Sequence, residues 1–207
     1  IHGRFGGDIA GIISQFDHIS QLGATAIWPT PLLEDNEAAW SYHGYACSDY
    51  YHIDPRYGSN ELYCSMVEQA HEKGIKVLMD MVPNHCGSTH WWMKDLPYHD
   101  WINQFDEFTT TSNVFSANYD TNASEYDRKL SNRGWFDKPM PDMNLENPDL
   151  LKYFQQWAIW WIEYAGINGI RMDTYPYADM EAMARWNRAV AREYPRFNIV
   201  GESWLEN

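Results

Sequence analysis

Positive charge is in short supply. The 207 residues hold 15 Lys+Arg against 29 Asp+Glu, a formal net charge of −14. A surface of that sign repels a phosphate backbone, which argues against a nucleic-acid partner. Long apolar runs are missing, so no segment reads as a membrane span. Cysteine is sparse: Cys47, Cys64 and Cys86 are odd in number and form no close-spaced pair. That argues against a disulfide framework and against a cysteine zinc site. No G-x-G-x-x-G or G-x-x-x-x-G-K-[ST] run follows a predicted strand, so nucleotide binding has no support. His85, His90 and His99 do not fall into H-E-x-x-H or another metal spacing, and no metal ligands are assigned.

Aromatic residues, by contrast, are in excess: 11 Trp, 14 Tyr and 8 Phe, 16% of the chain. Two uses account for this, a Trp-rich core or stacking surfaces for a neutral ring-shaped ligand, of which sugars are the obvious candidate. With 44% hydrophobic and 21% charged residues the chain is a folding one. It is long enough to bury a full core in one or two domains.

Ile9, Ile12, Ile13, Phe16, Ile19 and Leu22 recur at helical spacing and predict a helix over residues 9–22, stopped by Gly23. Ala24 to Trp28 reads as a short strand closed by Pro29 and Pro31, with a polar, aromatic loop to about Tyr57. Ser59-Asn60-Glu61 opens a helix to Lys73, and Ile75 to Met79 is the next strand. Residues 86–146 are polar and turn-rich without periodicity. They are too long for a structureless loop in a compact domain and read as an inserted subdomain. Asn147-Pro148-Asp149 opens a helix to Ala165, where Gly166 stops it. Ile167 to Met172 is a strand, residues 179–193 a helix, and Phe197 to Val200 a last strand. This alternation predicts an α/β fold with a parallel sheet, either a (β/α)8 barrel or a doubly wound sheet.

Polar residues crowd at the C-terminal ends of these strands: Asp80 to His85 after one, Arg171 and Asp173 on the next, Glu202 after the last. In a parallel barrel that end is the active-site face. Arg171 and Asp173 lie two apart on a strand and leave the same face. A guanidinium beside a carboxylate favours its ionised form, which suits a nucleophile; an ion pair holding strands together uses the same residues. Glu202 is flanked by Trp204, and aromatic surroundings favour a neutral carboxyl, as a general acid requires; a capping or surface carboxylate is the alternative. A nucleophile and an acid roughly 5–5.5 Å apart make the retaining glycosidase pair. His85 could act as metal ligand, base or hydrogen-bond donor. Trp40-Ser41-Tyr42-His43-Gly44-Tyr45 sets three aromatic rings and an imidazole around one flexible glycine, suited to sugar stacking or to packing on a barrel rim.

Taken in order, these stretches resemble the α-amylase family of retaining glycoside hydrolases (family 13) over nearly the whole chain. Gly6-Gly7-Asp8-Ile9 with its helix and LGATAIWPTPLLE resemble the first helix and second barrel strand. SYHGYACSDYYHIDPRYGS resembles the loop with the stacking tyrosine, DMVPNH the third-strand D-x-x-x-N-H, GIRMD the fourth-strand G-x-R-x-D, and GE at Glu202 the fifth-strand acid. Met140-Pro141-Asp142-Met143-Asn144 is similar to the M-P-x-L-N pattern of neopullulanases, cyclomaltodextrinases and maltogenic amylases. Those enzymes cleave α-1,4 and in some members α-1,6 links of maltodextrins, cyclodextrins, pullulan or starch.

The resemblance implies a partial (β/α)8 barrel, about strands 2 to 5, divided as residues 1–85 (first part), 86–146 (inserted subdomain) and 147–207 (second part). It implies Asp173 as nucleophile, Glu202 as acid and then base, and Arg171 as the partner of Asp173. His85 and His43 would hydrogen-bond the reacting sugar, Tyr45 would stack beneath it, and Asp80 would be structural. Tyr42 and Trp204, on strand-end loops, are further candidates for touching sugar, whereas Trp157, Trp160 and Trp161 share one outer helix and are expected to pack. The chemistry would need no cofactor. A structural calcium in the full-length protein stays open: Asn84 matches one ligand of the α-amylase site, but the full set does not. The partner would be an α-glucan or maltooligosaccharide.

The chain departs from the family at Thr174-Tyr175-Pro176-Tyr177, which is neither V-A-N-E nor a Lys-His pair; these positions face the leaving-group sugars in the family. The family's seventh-strand Asp and first strand are also missing. The start at Ile1-His2-Gly3 and the end at Asn207, after an apolar run, read as those of a fragment. A transglycosylase using the same intermediate and a non-catalytic carbohydrate-binding relative are the alternatives, though the latter predicts lost carboxylates. An acidic chain with few cysteines fits a bacterial periplasm or cytoplasm.

Overall fold

A computed structural model describes residues 5–204; the chain ends read above as those of a fragment, Ile1-His2-Gly3 and Asn207, lie outside the described residues. The predicted first helix is two: α1 (Ile9–Ser14), capped by Asp8, and α2 (Phe16–Gln21), separated at Gln15. There the backbone tightens, with Gln15 N–H donating to Ile12 O. Strand β1 (Ala26–Ile27) is shorter than the apolar run because it pairs on one side only, with β4.

The loop expected up to Tyr57 holds a structure that periodicity did not reveal. β2 (Leu33–Glu34) and β3 (Asp49–Ile53) form an antiparallel ribbon with an irregular register. Its pairing bridges a long, polar connection, so no local pattern announces it. Then follow α3 (Asn60–Glu72), whose Ser59 cap accepts from Leu62 N–H, and β4 (Lys76–Met81). Residues 86–146 carry two short 3-10 turns, helix α4 (Glu125–Arg133) and isolated bridges such as Ile102 to Met143 and Thr110 to Trp135. The remainder is α5 (Pro148–Ala165), β5 (Gly169–Met172), α6 (Met180–Glu193) and β6 (Asn198–Gly201).

The main sheet has the order β1-β4-β5-β6, all parallel. Strand order follows chain order without the reversal that marks a doubly wound sheet. The helices follow suit: α1 contacts α3, α3 contacts α5, and α5 contacts α6. Strands and helices advancing together in one direction are the barrel arrangement. The central strands β4 and β5 bury Val77, Met79, Met81, Ile170 and Met172, whereas Val200 on the rim strand β6 is exposed.

The aromatic surplus divides. Trp92, Trp157, Trp161 and Trp186 are fully buried, and the first three surround Tyr50 of β3. Both Trp157 and Trp161 donate their indole N–H to the Tyr50 carbonyl, at 2.6 and 3.0 Å. Tyr50 in turn donates its hydroxyl to His85 O at 3.0 Å. Trp160 is half-buried, edge-on to Tyr51 and stacked on Tyr164. Trp28, Trp40, Trp91 and Trp204 remain exposed. No helix among the described residues is long and apolar enough to cross a membrane.

Helix α5 owes its start to Asn147, whose side-chain oxygen accepts from Asp149 and Leu150 N–H and whose amide donates to Asp100 in the insertion. Its end is Gly166 in the left-handed region at φ 71. Replacing Asn147 by Ala is expected to cost about 1–2 kcal/mol, and Asn147→Ser to recover most of it by keeping the cap. Thermal melting of both variants checks this; an unchanged midpoint in Asn147→Ala would show that the cap contributes nothing.

Candidate active site

The ends of β4, β5 and β6 place Asp80, Arg171 and Glu202 side by side, because the parallel register pairs Asp80 with Arg171 and Met172 with Gly201. The ladder continues past the strand ends through Asp173 N–H to Met81 O and Glu202 N–H to Met172 O. These side chains therefore stand on backbone that is hydrogen-bonded up to Asp173 and Glu202.

Arg171 is the hub. Its Nη1 lies 3.1 Å from both Asp80 oxygens and 2.5 Å from Asp173 Oδ1, and its Nη2 lies 2.9 Å from Glu202 Oε2. Its guanidinium sits over the Trp28 ring, 4.9 Å from the centroid, and 5.8 Å from that of Tyr45. Both rings also donate to Asp80 Oδ2, Trp28 through its indole at 2.9 Å and Tyr45 through its hydroxyl at 3.3 Å. Burial and the charge of Asp80 hold the Tyr45 phenol well above its ordinary range, so it stays a donor. Trp28 was not among the sequence candidates. Its place at the C-terminal end of β1, where the carboxylates of the other strands sit, is the signal that could have found it.

Two electrostatic expectations need correction. Arg171 does not win over burial at Asp173: desolvation pushes that carboxyl up to about 7, Asp80 and Glu202 add to it, and Arg171 opposes. Burial likewise raises Asp80. Three carboxylates face one guanidinium, an excess of two negative charges in a buried site, so the cluster retains a proton near neutrality. Nor does Trp204 supply the surroundings of Glu202, since it stands 69% exposed. Glu202 is held instead by Arg171 and by the Thr174 N–H at 3.0 Å. Thr174 donates from the left-handed region, φ 47, a conformation costing a β-branched residue about 1–3 kcal/mol.

His85 is buried, and burial lowers it to about 4, so it is neutral. Its Nε2 lies 3.1 Å from Tyr45 O and its Nδ1 lies 3.3 Å from the Asn84 amide, so Nε2 carries the hydrogen. A sugar hydroxyl would have to exchange with the Tyr45 carbonyl. One face of His85 stacks on Phe136, 5.4 Å and 19°. Phe136 comes from the aperiodic insertion, where sequence reasoning had no purchase. His43 accepts from Tyr45 N–H at 3.0 Å, and its ring lies against Tyr42 and Tyr45. Gly44 is not the flexible hinge expected: at φ 79 its Cβ position lies 2.4 Å from Pro31 O, so only glycine fits and the loop is pinned.

No group of three or more His, Cys, Asp or Glu among the described residues could hold a metal ion. Asn84 turns its amide nitrogen to His85 Nδ1, and Asp142 accepts from Asn103. The described residues at the strand ends gather carboxylates around a guanidinium.

The comparisons bear on the family and the fold. The family model for the catalytic domain of alpha amylase matches residues 2–206. A cyclomaltodextrinase from a Bacillus species is 34% identical over 212 residues, covering 98% of this chain and 35% of that protein. The intracellular maltogenic amylase of Bacillus subtilis is 33% identical over 207 residues, covering 97% of this chain and 32% of its own length. The crystal structure of the Geobacillus thermoleovorans α-amylase complexed with acarbose superposes with a TM-score of 0.84 at 30% identity, over 100% of this chain and 42% of that one. The chain thus spans about a third of the length of these curated relatives, and its fold is a partial (β/α)8 barrel. With the strand-end cluster of Asp80, Arg171, Asp173 and Glu202 on that barrel, the chain belongs to the α-amylase family.

Proposed function

We propose that the protein is a retaining glycosidase acting on α-glucosidic bonds of maltooligosaccharides or related α-glucans, with Asp173 as nucleophile and Glu202 as acid/base. The observation that carries this reading is one guanidinium holding both carboxylates, Asp173 through Nη1 and Glu202 through Nη2, at adjacent strand ends. In the first step ionised Asp173 attacks the anomeric carbon. The bond to the leaving sugar breaks, and Glu202 gives its proton to the departing oxygen. In the second step Glu202 takes a proton from water, which attacks the same carbon and frees Asp173. Arg171 stabilises the charge that moves between them, in a site where burial strengthens every such interaction. An acceptor sugar in place of water would give transglycosylation through the same intermediate.

In the full-length protein, Asp173→Asn is expected to lower kcat on maltooligosaccharides by about a thousandfold or more. Glu202→Gln should lose as much on oligosaccharides but still react with α-maltosyl fluoride, whose fluoride departs without a proton, and should then stall as a covalent adduct visible by mass spectrometry. Undiminished hydrolysis by Asp173→Asn would refute the assignment.

The raised Asp173 carboxyl gives a pH signature. Attack needs the ionised form, so kcat/KM should fall as pH drops through about 7. Asp80→Asn removes a like charge and frees Arg171 for Asp173, so the acid limb of the remaining activity should move to lower pH. The stability linkage has the opposite sense. The folded state holds the proton more tightly than the unfolded one, so stability should decline as pH rises from about 4 to about 7. Matched pH–rate and pH–melting series check both; an acid limb unmoved in Asp80→Asn would sink the shared-proton account.

A further inference from the structure

The run Thr174-Tyr175-Pro176-Tyr177 departs from the family, and the mechanism above leaves its tyrosines without a task. Positions expected to face leaving-group sugars are turned inward here: Thr174 is 4% exposed and Tyr177 8%. Tyr175 is occupied elsewhere. Its ring covers Gly201, where a Cβ would come within 2.7 Å of Cδ1, and its hydroxyl accepts from the Asn187 amide at 2.5 Å. Tyr177 reaches the other way, into the insertion. Its hydroxyl donates to Asn113 Oδ1 at 2.6 Å, and its ring meets Phe115 edge-to-face at 4.8 Å and Phe136 at 5.6 Å. Phe136 continues the chain of contacts onto His85 and yet keeps 39% of its surface exposed.

We propose that Tyr177 is a positioning residue that locks the insertion to the nucleophile turn and so holds Phe136 as an aromatic wall for sugars on the leaving-group side. This rests on the α-glucan reading above. The side follows from geometry: the leaving oxygen is the one Glu202 protonates, and the turn that carries Tyr177 begins at Thr174, whose N–H donates to Glu202 Oε2 at 3.0 Å. A ring held against that turn, as Phe136 is through Tyr177, is placed for the sugars that depart past Glu202. A partly exposed phenyl ring held by a buried hydrogen bond loses less freedom when a pyranose stacks on it than an unheld ring would.

The test uses two substrates that differ only beyond the scissile bond. Maltotetraose fills the leaving-group side with sugar, whereas α-maltosyl fluoride puts only fluoride there. In the full-length protein, Tyr177→Phe keeps the ring and removes the bond to Asn113. It should lower kcat/KM about fivefold more on maltotetraose than on α-maltosyl fluoride, with the loss in KM. Asn113→Ala should do the same, and the double variant should be no worse than either single one. Phe136→Leu should move the same ratio by about tenfold. Equal losses on both substrates, additive losses in the double variant, or no loss at all would overturn the proposal while leaving the α-glucan reading intact. A wild-type protein that turns over neither substrate would overturn that reading, and the proposal with it.

Discussion

The Arg171 guanidinium is the contact on which the site is built. Among the described residues it is the cation set among Asp80, Asp173 and Glu202, and it bonds to all three. Without it, three carboxylates at the ends of three adjacent parallel strands would repel one another in a buried space. With it, an excess of two negative charges remains, and the two aromatic donors Trp28 and Tyr45 share in holding Asp80 while facing the cation. Asp80 and Asp173 thus share Nη1 of the guanidinium, and Glu202 takes Nη2. The parallel register does the placing: each strand ends where the next one does, so neighbouring ends can share one planar fork.

Much of this could be read from the residues. The helix boundaries at Ser59, Asn147 and Gly166 carry their caps in plain view, and the structure uses those caps. The strand-end residues Asp80, Arg171, Asp173 and Glu202 were legible because the helix–glycine–strand rhythm locates each strand end. What stayed hidden has a common cause, pairing between parts distant in the chain. The β2–β3 ribbon closes over a long polar connection, so no period-2 pattern marks it. Phe136 and Asn113 come from a segment held by isolated bridges, where residue spacing says nothing about neighbours. The electrostatic errors came from pair reasoning. Arg171 beside Asp173 looks like a carboxylate held ionised, until burial and two further carboxylates enter.

Residues 86–146 meet the barrel through backbone bonds, such as Met143 N–H to Asn84 O, and through aromatic rings. His85 on Phe136, Phe136 on Tyr177 and Tyr177 on Phe115 form a continuous series from the end of β4 to the turn after β5. The two hydrogen bonds that orient this series, Tyr177 to Asn113 and His85 to Tyr45 O, both end on loops rather than strands. In the proposed function, Asp173 and Glu202 therefore rest on the ladder of the sheet, and Phe136 rests on ring contacts across a seam.

The Tyr50 carbonyl sets a limit on how this molecule can adjust. Trp157 and Trp161 stand one helical turn apart on α5, and both indoles converge on that single oxygen. Sliding α5 along β3 in either direction would break both bonds and strand two donors in a dry interior. The ribbon is thereby clamped to the outer helix layer, and the rim loop of Tyr42, His43 and Tyr45, which the ribbon flanks, sits on a rigid mount. In the proposed function the tyrosine loop is therefore a fixed reference for whatever ring lies against it, set by one carbonyl of the ribbon and two indoles of α5.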